Sequence, residues 1–166
     1  MDTRDINAPG STQYLTFDLA GERYAVKVAS VEVVLEMAAV TRVPKSLPHI
    51  RGVINHRGSV VPVMDLRVVF GLEPTELSSG CSVIVAQVQY DGEDLTAGIL
   101  ADAVQEVIEL EGRFIEPPPQ FGSRVDGKFV QGIGKRGSEF VILLDLESAM
   151  AATAAQNGNR VAKDRM

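Results

Sequence analysis

The sequence of 166 residues has little of what builds covalent cross-links or membrane spans. Its single cysteine, Cys81, cannot form an internal disulfide, which favours a reducing compartment. No apolar run approaches the roughly 20 residues that cross a bilayer. Residues 1–11 also lack the apolar core of a secretory signal. We therefore expect a soluble cytoplasmic protein without direct membrane insertion.

An excess of positive charge is missing as well. The formal net charge is −6, which argues against nucleic acid as a partner. Residues 68–112 contain nine acidic residues and no lysine or arginine, whereas residues 42–67 contain five basic residues and one acidic residue. Segments of opposite charge suit protein partners, and the pattern fits two solvated faces equally well.

Residues that could carry metal or catalytic chemistry are sparse. His49 and His56 are the only histidines, and neither has the neighbouring ligands of a zinc site or a nucleophile elbow. A Gly-x-Gly-x-x-Gly match at 132–137 precedes a predicted strand rather than a helix, so a hairpin is favoured over a dinucleotide site there. We expect no enzyme activity, no metal and no cofactor, with an enzyme that uses the Gly132 loop as the minor alternative.

The most informative stretch of the sequence spans residues 50–66. Gly52 and Gly58 supply backbone freedom around a predicted strand and tight turn, and an apolar strand follows. Asp65 then occupies the N-cap position of a short helix. A similar order returns about 80 residues later, where Arg-Gly-Ser, an apolar strand and a cap at Asp145 lead into a helix over about 145–152.

The preceding segments repeat in the same way. Residues 14–28 predict a hairpin, residues 29–37 predict a short turn and a strand, and residues 81–110 repeat that order. The match between residues 25–36 and 97–109 favours strands over a helix in the second copy. Short strands at this spacing predict two small barrels, and each half alone would have a marginal core. We therefore expect the halves to pack together.

Arg57 lies beside Gly58 in the predicted turn between two buried strands. An arginine in that position should be partly covered and should need a carboxylate or carbonyl partner. Two interpretations remain open, a structural ion pair and a contact with a partner protein.

Taken together, these segments resemble the CheW family, the adaptors that couple chemoreceptors to the chemotaxis histidine kinase. The run NHRG…VPVMDLR is the most specific part, and it also occurs in the regulatory domain of that kinase. The chain lacks the kinase and phosphotransfer segments, which favours the adaptor. The matching segments are FDL at 17–19, YAVKV at 24–28, TRVP at 41–44, IRGVINHRG at 50–58, VPVMDLR at 61–67, FG at 70–71, GILADAV at 98–104 and LLD at 143–145.

The resemblance implies a mainly β fold of two packed, five-stranded SH3-like barrels with short helices. It implies one domain at 13–150, made of interleaved subdomains at roughly 13–75 and 80–150, with mobile tails at 1–12 and 155–166. The function implied is a non-catalytic adaptor that is recruited to receptor arrays at the inner membrane. The alternative is an adaptor of a CheW-type array that controls development, another form of motility or a second messenger.

The resemblance also implies two partners. One barrel, in the second half, docks the regulatory domain of the kinase, and the groove between barrels receives the helical tip of the receptor. The receptor contacts carried over from the family are Val31, Val34, Gly98, Val104 and Val107.

Two residues depart from the family pattern near the predicted receptor side. Val33 replaces the usual acidic residue, which removes a natural partner for Arg57. His56 replaces the usual apolar residue before Arg57. We expect the fold to remain intact and the choice of receptor to be affected.

Overall fold

A computed structural model describes residues 11–36, 40–77, 80–118 and 129–151, and these form eleven strands and two short α-helices. The first half contains β1 (Ser11–Leu19), β2 (Glu22–Lys27), β3 (Val31–Glu36), β4 (Ile50–His56), β5 (Ser59–Met64) and α1 (Leu66–Val69). The second half contains β6 (Ser82–Tyr90), β7 (Glu93–Ala101), β8 (Ala103–Glu111), β9 (Ile115–Glu116), β10 (Val130–Arg136), β11 (Glu139–Leu144) and α2 over 146–151. Single 3₁₀ turns follow β2 and β8, at Val28–Ser30 and Gly112–Phe114.

The strands form two curled sheets, which confirms the predicted mainly β fold with short helices. Sheet 1 has the order β8-β1-β2-β11-β10-β9, and sheet 2 has the order β3-β6-β7-β5-β4. Sheet 1 therefore has one more strand than the five expected, because the short β9 pairs with β10 through Glu116 and Ile133. The isolated bridge between Thr41 and Val53 occupies the equivalent edge of sheet 2.

Each sheet takes its strands from both halves of the chain. The β1–β2 hairpin joins sheet 1 through a parallel pairing of β2 with β11, and the β6–β7 hairpin joins sheet 2 through a parallel pairing of β7 with β5. A boundary between residues 75 and 80 therefore separates strands of the same sheet. The limits predicted for the two subdomains stay a prediction.

Side chains of alternate strand residues fill three separate apolar cores. The first lies inside sheet 1 and the second inside sheet 2. The third, which we call the central core, contains residues of both sheets and holds them together. On β6, for example, Val83 and Val85 face the interior of sheet 2, whereas Ile84 and Ala86 belong to the central core.

Several predictions concern residues at the limits of the described ranges. The predicted tail at 1–12 is corrected at its end, because Ser11 and Thr12 already belong to β1. Residues 1–10 and the predicted tail at 155–166 lie outside the described residues, as does the predicted end of α2 at 152.

Candidate partner-binding surfaces

Three of the five predicted receptor contacts lie on edge strands of the two sheets and pack against the same core. Val31 and Val34 belong to β3, an edge strand of sheet 2, and Val104 belongs to β8, an edge strand of sheet 1. All three side chains are partly buried against the central core. We call the partly exposed sides of these three valines, on the two edge strands, the junction surface.

The other two predicted contacts are placed differently. Val107 lies further along β8, and 52% of its surface is exposed. Gly98 is buried on β7, where an added Cβ would lie 2.6 Å from Cγ1 of Val83. Its missing side chain therefore lets Val83 pack against β7 inside sheet 2, and the structure does not bring Gly98 onto the junction surface.

Both edge strands of the junction surface contain a β-bulge. On β3 the register shifts between Val31 and Val33, and on β8 the shift falls between Val104 and Val107. At the bulge of β8, the hydroxyl of Thr16 on β1 takes the place of the missing backbone hydrogen bonds. It donates to the carbonyl of Glu106 at 2.7 Å and accepts from the N–H of Glu106 at 3.0 Å. A bulge bends its strand and changes where side chains point, so it shapes this surface.

A charged contact next to the junction surface was missed by the sequence analysis. Asp102 connects β7 to β8, and its carboxylate accepts a hydrogen bond from the Ala20 N–H at 3.0 Å. The same oxygen, Oδ2, lies 2.7 Å from Nη2 of Arg67 on α1. These bonds hold the crossover between the sheets in position. The family-like segment 98–104 contains Asp102, but nothing in the sequence indicated its partner.

Arg57 is exposed, which corrects the expectation that it would be partly covered. It occupies a left-handed turn position with φ of 56°, followed by Gly58 with φ of 83°. The N–H of Gly58 donates to Oδ1 of Asn55 at 2.9 Å. In the part of the chain that the structure describes, Arg57 has no hydrogen-bond or ion-pair partner, so the predicted structural ion pair is not found there, and a contact with another protein stays a prediction.

His56, in contrast, is largely covered and lies near an acidic residue. Its side chain is 14% exposed, and its Nε2 is 3.6 Å from Oε1 of Glu32, the extra residue of the β3 bulge. Glu32 therefore faces His56 rather than Arg57. Val33 is partly buried against the interior of sheet 2.

The two predicted N-caps both accept hydrogen bonds from the first turn of their helix. Asp65 accepts from the Arg67 N–H at 3.2 Å, and Asp145 accepts from the Ser148 N–H at 3.1 Å. Asp65 is completely buried and also lies 2.7 Å from Nη1 of Arg51. Thr75 completes this network, because its N–H and hydroxyl each donate to Asp65 at 2.8 Å.

Neither a candidate metal site nor a candidate membrane span is found in the described residues, which are 11–36, 40–77, 80–118 and 129–151. Within these ranges no group of three or more histidine, cysteine or acidic side chains could hold a metal ion. No described helix has the length and apolarity to cross a membrane. The glycine-rich segment at 132–137 lies in β10 and the turn after it, as the hairpin interpretation predicted.

Comparisons with known proteins place these features in one family. The family model described as the CheW-like domain matches residues 13–154. A probable chemotaxis protein CheW from Rhizobium etli is 28% identical, with 89% of this chain and 92% of that protein covered. The chemotaxis protein CheW from Klebsiella aerogenes is 30% identical, with 91% of this chain and 89% of that protein covered.

A solved structure agrees with the sequence relatives. The crystal structure of the scaffolding protein TtCheW from Thermoanaerobacter tengcongensis has a TM-score of 0.72 and 33% identity, and the similarity covers 82% of this chain and 90% of that one. The fold is thus that of two SH3-like β subdomains. The chain belongs to the CheW family of non-catalytic chemotaxis scaffold proteins.

Proposed function

We propose that this protein is a cytoplasmic adaptor that couples chemoreceptors to a chemotaxis histidine kinase in receptor arrays at the inner membrane. The observation that carries the proposal is the junction surface, where Val31, Val34 and Val104 from two sheets lie against one core. Apolar side chains on two edge strands suit an amphipathic helix, which buries one apolar face against its partner. The helical tip of a receptor is such a partner.

Exposed apolar area extends the proposed receptor contact along β8. Val107 is 52% exposed, and an exposed valine beside three partly buried ones adds area that a partner can remove from water. Burial of a valine side chain contributes about 1.5 kcal/mol or more to association before ordering costs. Val107 is therefore the position where a substitution should affect binding with the least damage to the core.

A second surface in the second half of the chain supports the proposed kinase contact. Phe140 on β11 is 64% exposed, and Tyr14, Tyr24, Phe17, Phe70 and Phe129 are buried. Aromatic residues are enriched in protein interfaces, where a few residues contribute most of the binding energy. We assign the regulatory domain of the kinase to the hairpin formed by β10 and β11, with Phe140 at its centre.

The two contacts can be separated by two surface variants. Val107→Asp should lower affinity for a receptor tip at least tenfold while kinase binding persists, because a charge would be buried in an apolar contact. Phe140→Ser should do the opposite. The matched controls are Tyr90→Ser and Val60→Ser, which remove exposed apolar side chains elsewhere. Calorimetric titration of each variant against a receptor tip and a kinase regulatory domain measures both effects.

Two results would contradict the proposal. One is the absence of binding of the wild-type protein to any receptor tip or kinase regulatory domain of its own organism. The other is an equal loss of both partners in each variant at unchanged melting temperature. An array with a non-flagellar output uses the same two contacts, so the phenotype of a deletion strain separates that alternative.

A further inference from the structure

The end of β3 carries an acidic side chain on the same face as a predicted receptor contact. Val33 and Leu35 pack against the interior of sheet 2, whereas Val34 packs on the central core. Because side chains alternate along a strand, Glu36 lies on the outer face with Val34. Glu36 is exposed.

The corresponding strand of the other sheet has the same arrangement. On β8, Ile108 and Leu110 are buried inside sheet 1, and Val107 points outward. Glu109 therefore shares the outer face with Val107 and is also exposed. Both Val-x-Glu segments follow the bulge of their strand, so each edge of the junction surface continues from a valine to a carboxylate.

These two carboxylates are not neutralised within the described parts of the chain. Other acidic side chains nearby have partners: Glu106 lies 2.9 Å from Arg136, and Asp18 lies 2.7 Å from Arg23. Glu36 and Glu109 have no hydrogen bond or ion pair with residues that the structure describes. Neither β3 nor β8 contains a lysine or arginine that could offset them.

We propose that Glu36 and Glu109 select a receptor helix whose apolar stripe is flanked by lysine or arginine on both sides. The inference rests on the proposed function, because it uses the same junction surface. Charges at the rim of an interface guide association and exclude wrong partners, and their effect weakens as salt rises. A helix with acidic flanks would meet like charge at both edges and would bind poorly.

The test uses the helical hairpin tip of a chemoreceptor from the same organism as the probe. In the double variant Glu36→Lys/Glu109→Lys, affinity at low salt should fall about tenfold, and the difference from wild type should shrink at high salt. The control is Glu93→Lys, which makes the charge change of one of these two substitutions at an exposed residue at the start of β7. It should alter affinity less than about twofold.

A second probe, a receptor tip with reversed flanking charges, tests whether the change in affinity depends on charge. In a receptor tip whose flanking lysines and arginines are replaced by glutamate, the double variant should bind better than the wild-type protein. The selection by Glu36 and Glu109 would be overturned if the double variant kept the affinity and the salt dependence of the wild-type protein. If Val107→Asp lost receptor binding in the same experiment, the proposed adaptor function would still hold. Failure of the wild-type protein and of every variant to bind any receptor tip would overturn both.

Discussion

The two halves of the chain hold the N-cap residue of their α-helix with the same backbone hydrogen bond, yet they surround that residue differently. The N–H of Asp65 donates to the carbonyl of His49 at 2.8 Å, and the N–H of Asp145 donates to the carbonyl of Phe129 at the same distance. Asp65 is completely buried by Arg51 and the loop at Thr75, whereas Asp145 remains partly exposed. The same local motif is therefore part of a buried polar network in the first half only, among the residues that the structure describes.

Removal of the two cap carboxylates should show this difference directly. Asp65→Ala leaves Arg51 partly buried without its carboxylate and Thr75 without two hydrogen bonds, so the free energy of unfolding should fall by about 3 kcal/mol or more. Asp145→Ala loses a cap, which costs about 1 kcal/mol. Urea unfolding of both variants measures the difference.

A further change at Arg51 sharpens the comparison. In the Asp65→Ala background, Arg51→Met removes the unpaired charge and should recover part of the lost stability. Equal losses in Asp65→Ala and Asp145→Ala, with no recovery by Arg51→Met, would mean that the buried network contributes no more than an ordinary cap.

Equivalent glycines give the next largest contrast. A Cβ on Gly52 would lie 2.2 Å from the carbonyl oxygen of Thr41, and its φ of 150° is unfavourable for other residues. A Cβ on Gly132 would lie 2.8 Å from the carbonyl oxygen of Glu116. Gly52→Ala should therefore destabilise by about 2–3 kcal/mol and Gly132→Ala by about 1 kcal/mol. Thermal unfolding would contradict this if the order were reversed.

The order of strands was predictable from the sequence, whereas their partners were not. The apolar run of β6 and the turn at Asp91 and Gly92 are local features, and they predicted the hairpin correctly. The β1–β2 hairpin pairs with a strand from the second half, and the β6–β7 hairpin pairs with a strand from the first half. This arrangement depends on which strand packs beside β2 and which packs beside β7. That choice is made by tertiary contacts such as the pairing of Gly98 with Val63, which leave no local pattern.

The candidate site was predictable to a similar extent. Resemblance selected Val31, Val34 and Val104, which all pack against the central core, and their contact with a receptor stays a prediction. The contact between Glu32 and His56 was missed, because a bulge adds a residue that interrupts the alternation on which strand predictions depend. Hydrogen bonds made by the Thr16 hydroxyl stabilise the other bulge, and no sequence pattern indicates such a distant pairing.

The two Arg-Gly-Ser segments are offset by one residue in their hairpins. Arg136 pairs with Glu139 in the ladder and lies 2.9 Å from Glu106. Arg57 occupies the turn itself, because the ladder ends at the pair of His56 and Ser59. The two segments match in sequence, whereas their backbone positions differ by one residue.

Substitutions in these turns should have smaller effects than those in the caps. Arg57→Ala should change the free energy of unfolding by less than about 0.5 kcal/mol, since no partner is lost among the described residues. Arg57→Gly should raise it by up to about 1 kcal/mol, because glycine adopts the left-handed conformation without strain. Gly137→Ala, at φ of 63°, should lower it by about 1 kcal/mol.

Chemical denaturation of the three turn variants measures these changes. A loss of more than about 1 kcal/mol in Arg57→Ala would restore the structural ion pair as the explanation for this arginine. A higher free energy of unfolding in Arg57→Gly, together with weaker partner binding, would support the interpretation that Arg57 contacts a partner and is not needed for folding.

The smallest contrast is a difference in pH dependence between His49 and its counterpart Phe129. Burial lowers the pKa of His49 below its ordinary value of 6.5, and its Nε2 has no hydrogen-bond partner in the described structure. Below pH 6.5 the unfolded chain therefore binds more protons than the folded one at this site, so stability falls as the pH falls. His49→Phe should remove this contribution and flatten the decline between pH 8 and pH 5.5.

The reciprocal substitution, Phe129→His, tests whether burial of an imidazole is enough to make stability depend on pH, or whether the other residues of the first half are also needed. Phe129 is 6% exposed, and Phe129→His would place an imidazole in a more deeply buried position than that of His49, which should add a loss of stability at low pH. Melting temperatures of both variants at pH 8 and pH 5.5 measure the two slopes. An unchanged slope in His49→Phe would mean that the acid sensitivity of the fold arises from its carboxylates, which outnumber the histidines by 22 to 2.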